Sequence, residues 1–144
     1  MLIVTIFLLS ILHIGYSDVT VNSNQGCDGC PSPVDPNSSE IKEMINRAMT
    51  NLNAISNSTN YLIPIQVTNV TSQVVAGSLT KITIQVGEST CSKTEVSAAE
   101  LNTANCKISS ESAPETYIVN VWQKPWENFE QITFDENPTV DTTN

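Results

Sequence analysis

The feature that constrains this chain most is one stretch of helical periodicity in a sequence that otherwise reads as strands. Ile41, Met44, Ile45, Ala48, Met49, Leu52 and Ile55 recur at helical intervals, which aligns them on one face of an α-helix of about five turns. Lys42, Glu43, Asn46, Arg47 and Asn53 fall on the other faces. A stripe that wide needs an apolar surface to lie on, and the rest of the chain must supply it. Asn37, with Glu40 three residues on, is expected to cap the start as a variant capping box.

Strand signals fill most of the chain beyond Ile55. Ile63, Ile65 and Val67 alternate, then the phase shifts to Val70, Ser72 and Val74, which predicts a long strand bent by a bulge near Thr68 and Asn69. From Leu79 to Val86 the alternation is clean, with Ile82, Ile84 and Val86 on one face and Lys81, Thr83 and Gln85 on the other. That is a half-buried antiparallel strand. Ala76, Gly77 and Ser78 form the turn between the two, where Gly77 takes a positive φ without strain. Glu88 to Glu115 is polar, is closed by Cys91 and Cys106, and has a short helical possibility at Val96 to Leu101, so it is expected to be a tethered loop outside the core. Thr116–Gln123 and Phe129–Phe134 make a second hairpin across Lys124-Pro125-Trp126-Glu127, where proline breaks the ladder. One helix, four strands and an arm that adds a possible fifth define an α+β class: a curved antiparallel sheet packed against one helix.

The N-terminal residues, 1–17, contain no charged side chain, and the apolar run Leu2 to Leu12 leads to Gly15-Tyr16-Ser17. They read as a secretory signal peptide, too short for a membrane span, so the protein is expected to be secreted and extracellular. Residues 18–36, rich in Asn, Ser, Gly, Asp and Pro, form an extended arm; 37–135 form the domain; and 136–144 are a polar tail. Sequons at Asn37, Asn57 and Asn69 fit an exported glycoprotein.

Charge and cysteine usage exclude several functions. With 6 basic against 15 acidic residues, the chain lacks the positive face that nucleic acid or an anionic membrane requires. The one histidine, His13, lies in the signal peptide, so the mature chain has no imidazole for Ser-His or Cys-His chemistry and no enzyme is expected. No cofactor or metal is expected either, and a monomer is. Four cysteines in an exported chain read as two disulfides with three possible pairings; Cys27 with Cys30 and Cys91 with Cys106 is the favoured one.

At Gln73-Val74-Val75-Ala76-Gly77 the hairpin tip resembles the inhibitory first loop of the cystatin family residue for residue. Pro125-Trp126 sits in the second hairpin where cystatins present their Pro-Trp pair, and counting back from the helix places Gly29 at the family's amino-terminal glycine. The resemblance spans about residues 26 to 135 and includes the single loop disulfide matched by Cys91 and Cys106. It implies a sheet wrapped around one helix. It also implies reversible, tight inhibition of papain-like cysteine proteases, such as cathepsins, by a wedge of the arm and both tips that fills the active-site cleft. Read physically, Val74, Val75, Ala76 and Gly77 are an uncharged tip that leaves water at little polar cost, and Trp126 has the profile of an interface hot spot. Some secreted cystatins also inhibit legumain through an Asn after the helix, and Asn57 in Ser56-Asn57-Ser58 occupies that place.

The chain also departs from the family pattern. Asp28 stands where cystatins place an apolar residue, and Cys27 and Cys30 flank the same spot, where a local disulfide would curl the arm; Gly26 is then an alternative trunk glycine. No cysteine follows Cys106, which makes the chain similar to invertebrate members with a single loop disulfide. The rival function is a cystatin-fold glycoprotein that has lost inhibition and serves as a binding or structural component, and a third is disulfide exchange at Cys27-Asp28-Gly29-Cys30.

Overall fold

The computed structural model describes residues 27, 29–101 and 103–135; the signal-peptide segment, most of the arm with Gly26, Asp28 and the tail from 136 lie outside the described residues. In chain order the elements are β1 (Ser32–Pro33), α1 (Ser39–Ile55), β2 (Asn60–Val75), β3 (Gly77–Ser92), β4 (Glu115–Lys124) and β5 (Phe129–Asp135). The strands form one five-stranded antiparallel sheet in the order β1-β2-β3-β4-β5. The end of the arm therefore supplies the fifth strand, Ser32 pairing with Ser72 and Pro33 with Thr71.

The helix lies on the sheet as its stripe requires. Ile41, Met44, Ile45, Ala48, Met49 and Leu52 are buried, and beneath them Leu62, Val70, Ile82, Ile84, Val86, Val119 and Val121 close the core. Each such Val, Leu, Ile or Met side chain contributes about 1.5–3 kcal/mol of transfer free energy, which makes this seam the main source of stability. The apolar periodicity continues one step too far. Ile55, the last residue of α1, is 65% exposed.

The N-cap is Ser38, one residue later than expected: its Oγ accepts from the Ile41 amide at 3.3 Å, while the Asn37 amide donates to Asp35 Oδ1 at 2.9 Å. Asn37 is thus part of the turn that delivers the chain to the cap. At the other end of the helix Lys93 Nζ donates to the carbonyls of Asn53 and Ser56 at 2.7 and 3.0 Å, placing a cation where the helix dipole is negative.

The bulge in β2 falls where the phase shift puts it, between Val67 and Asn69, and there are two further register shifts, between Asn60 and Leu62 and between Pro64 and Gln66. Ile65 is the extra residue at the shift between Pro64 and Gln66; it is exposed and rests over Gly87 beside Ile108 on the outer face. The polar segment after Val86 is also less of a loop than its composition suggests. β3 runs on to Ser92, and Ser89 is fully buried. The returning chain is stitched to it by Thr90 N–H to Lys107 O and Ser109 N–H to Glu88 O, each 2.8 Å. Val96 to Leu101 forms turns rather than a helix. Tyr61, itself buried, holds this region by donating to Val96 O at 2.9 Å.

Both disulfides join the favoured partners, Cys27 to Cys30 and Cys91 to Cys106. The second closes the loop between β3 and β4.

Candidate functional site

The antiparallel register brings distant parts of the chain to one end of the sheet. β2 and β3 are separated by Ala76 alone, with Val75 paired to Gly77, so the first tip is as tight as a hairpin can be made. Ser78, expected in this turn, is already in β3 and pairs with Gln123, which sets the tip beside the second turn. Gly77 has φ +112°, and a Cβ there would run into the carbonyl oxygen of Gln123. Glycine is thus required twice, by conformation and by the close approach of β4. Val74 and Val75 are 77% and 36% exposed. Gln73, paired with Leu79, lies one step below the tip in the ladder.

The second turn is a single 3-10 turn, Pro125–Glu127, closed by Asn128 at φ +49°, whose amide donates to Pro125 O at 3.2 Å. Proline at its first position lacks only a donor the turn does not use. Trp126 is 68% exposed, and its Nε1 donates to Glu127 Oε1 at 3.3 Å. An aromatic face of that size left in water marks an interaction surface when other apolar groups adjoin it.

The third piece is Gly29. It has φ +83°, and a Cβ on it would lie 3.4 Å from the Val74 carbonyl oxygen, which fixes it against the first tip. The Cys30 amide donates to Cys27 O at 3.0 Å, and the disulfide closes a turn at Gly29 ahead of the extended β1. Gly29, Val74–Gly77 and Pro125–Trp126 therefore share one edge.

Sequence reasoning passed over the residues that tie this edge together. Trp122 Nε1 donates to Ala76 O at 3.1 Å, and its ring meets Phe129 edge-on with centroids 5.3 Å apart. Lys124 Nζ lies 4.7 Å from the Trp122 ring centroid and pairs with Glu127 at 3.2 Å. The signal was present in the alternation, since Trp122 and Lys124 stand in the phase opposite to the buried Val119 and Val121.

The opposite end of the sheet is different in kind. A cavity of about 580 Å³ opens there between the loop after α1 and the segment before β4, lined by Leu62, Val86 and Tyr117 and by Asn57, Glu88 and Glu115 at the polar side. Glu88 accepts from Ser112 at 2.6 Å and Ser58 at 2.7 Å, and these hydrogen bonds, Ser112 first, hold its carboxyl below the ordinary range. Asn57 is exposed at this end. It is not brought to the tips. Asn69 is exposed on β2 and Asn37 is exposed in the turn before α1.

A five-stranded antiparallel sheet packed on one helix, with two hairpin tips and an arm glycine at one end, defines a cystatin. The chain belongs to the cystatin family: the family model Cystatin domain matches residues 29–139. It is 41% identical over 98 residues to Cystatin cpi-1 of Caenorhabditis elegans, covering 67% of this chain and 70% of that protein. Among solved structures it resembles Al-CPI, at 34% identity and TM-score 0.68, over 75% of this chain and 96% of that one. The salivary cystatin of the soft tick Ornithodoros moubata shares the fold at 24% identity and TM-score 0.58, over 76% of this chain and 97% of that one. Cystatins are protease inhibitors rather than enzymes, and cysteine proteases are the partners the family implies.

Proposed function

We propose that this chain is a secreted, reversible inhibitor of papain-like cysteine proteases that acts as a monomer by filling the active-site cleft. The observation that carries the reading is the gathering of Gly29, Val74–Gly77 and Pro125–Trp126 on one edge, with Val74 and Trp126 left in water. Buried in a cleft, these apolar faces gain about 25 cal/mol per Å² removed from water. The tip is held by the ladder, by Gly77 and by a side-chain donor before any partner arrives, so little ordering entropy remains to be lost. The chemistry is exclusion. No covalent adduct forms and the tip is not cut. Two disulfides support export, and the sequons at Asn37, Asn57 and Asn69 belong to the same reading as glycan sites.

Titration against active-site-counted papain and cathepsins tests the reading, with Val75→Asp as the control. The expected result is stoichiometric, reversible inhibition that Val75→Asp weakens strongly at unchanged thermal unfolding, because a carboxylate would enter a dry cleft. Unaltered inhibition by Val75→Asp would remove the first tip from the contact.

A further inference from the structure

Trp122 belongs to neither tip, yet it touches the apex of the first hairpin and the base of the second. It stands on β4 in the phase opposite to Val119 and Val121, so its indole lies on the face of the sheet turned away from α1. Its Nε1 donates at 3.1 Å to the carbonyl of Ala76, the one residue between β2 and β3. Its ring packs edge-on on Phe129, the first residue of β5, at 5.3 Å. Lys124, the last residue of β4, places Nζ 4.7 Å from the Trp122 centroid and 5.2 Å from that of Phe129, and Glu127 holds the same ammonium at 3.2 Å. One side chain thus fastens the apex of the first hairpin to the base of the second.

The geometry points to Trp122 as a positioning residue that joins the two tips into one rigid surface and fixes Val74 and Val75 relative to Trp126. This rests on the reading of the tips as the protease-contacting edge. In a tip with one residue between strands, the carbonyl of that residue has no place in the ladder; given over to water, it leaves the apex free to tilt about Val75 and Gly77. The indole N–H removes that freedom before binding, and it does so from outside both contact surfaces. Orientation entropy that would otherwise be lost in the complex is lost on folding instead. Phe129 and Lys124 keep the indole from swinging away, by edge-to-face packing and by a cation over both rings.

The test separates the hydrogen bond from the ring. Trp122 is replaced by 3-benzothienylalanine, which keeps the shape and puts sulfur in place of N–H, and in parallel Trp122→Phe and Val75→Asp are made. Papain inhibition constants, dissociation rates, thermal midpoints and amide exchange at Ala76 and Gly77 are measured on each. For the isostere the inhibition constant should rise roughly three- to tenfold, the cost of ordering the apex on binding rather than on folding. The rise should appear mainly as faster dissociation, together with faster exchange at the tip and a midpoint lowered by roughly 4–8 °C, the stability of a hydrogen bond already formed in the free protein. An isostere with wild-type inhibition and exchange, beside a Val75→Asp variant that has lost inhibition, overturns the role of Trp122 and leaves the tips intact as the contact. A loss of inhibition with exchange at the tip no faster than in wild type overturns it too, by making Trp122 scaffold. Wild-type inhibition by Val75→Asp as well would sink the reading of the edge on which the proposal rests.

Discussion

In the middle of the sheet Ile82 and Val121 are fully shielded by α1, whereas at the end of the same hairpins Val74 and Trp126 stand 77% and 68% exposed. The residue types are alike; the difference is whether the helix lies above them. Apolar side chains under α1 are there to be covered by the chain itself. Those beyond it have no internal cover and are held in place by polar and aromatic contacts instead: the Trp122 donor to Ala76, the Lys124 ammonium over two rings, and the backbone contact of Gly77 with Gln123. Stability and binding are therefore expected to separate along single strands, and mutations in the two regions should register in different measurements.

The largest effect belongs to the middle. Ile82→Ala should cost about 2–5 kcal/mol of unfolding free energy in urea, because the cavity forms in the fully buried core. The molecules that stay folded should inhibit as tightly as wild type. Weakened binding in the folded fraction would show that the core sets the shape of the tips.

Next comes the far end. Serine at both Cys91 and Cys106 removes a link spanning 15 residues, and the loop-entropy argument gives a loss of about 3 kcal/mol. The inhibition constant should not move, since the loop between β3 and β4 lies at the other end of the sheet from the tips. A changed constant would mean that the two ends communicate.

At the tips the pattern should reverse. Trp126→Ala should weaken binding by about 2 kcal/mol, roughly thirtyfold, with thermal unfolding unchanged. A buried tryptophan would instead have registered as a loss of about 3–5 kcal/mol in stability. Melting with intact inhibition would make the second turn scaffold and leave the first tip as the sole inhibitory element.

The same division explains what could be read from the sequence. Helix α1 and the inward face of β3 were legible because periodicity reports burial on a regular partner, and Ile82, Ile84 and Val86 obey it. The tips were legible only through the family resemblance, since an exposed valine and an ordinary turn look alike without it. Where regularity fails, the reading fails. Ile65 is the extra residue at a register shift that local alternation does not encode, and Ile55 continues the stripe to the last helical residue, where it stands exposed. Asn37 and Ser38 are both capable caps, and the choice of Ser38 depends on the turn that Asp35 makes with Asn37. The extension of β3 through Ser89 was hidden by polar residues whose backbone pairs with chain returning near Ile108. Arg47 and Glu130 meet across 83 residues, and no local pattern joins them.

That pair offers the smallest and sharpest test of the division, because it anchors α1 to the strand after the second turn. Arg47 Nε and an Nη donate to the two carboxylate oxygens of Glu130 at 2.8 Å, and Gln123 Nε2 donates to Glu130 as well. The hydrogen bonds from Arg47 hold the Glu130 carboxyl below its ordinary value of 4.5, and Glu43 lies near enough to favour the Arg47 charge. Both side chains are partly exposed, 43% and 26%, so the pair is worth less than about 1 kcal/mol. A carboxyl whose folded pKa is depressed contributes stability above its unfolded pKa and loses it as pH falls through the folded one. Arg47 stays protonated throughout and adds no slope of its own. The difference in unfolding free energy between wild type and Glu130→Gln should therefore be full at neutral pH and should shrink below pH 4.5, measured by urea titration at each pH. A difference independent of pH would mean that Glu130 acts through its packing and its bond to Gln123 rather than through charge. If Glu130→Gln also raised the inhibition constant at unchanged stability, the anchor of the helix would reach the tips through Gln123, whose carbonyl packs against Gly77, and the boundary between core and contact edge would have to be drawn closer to the second turn.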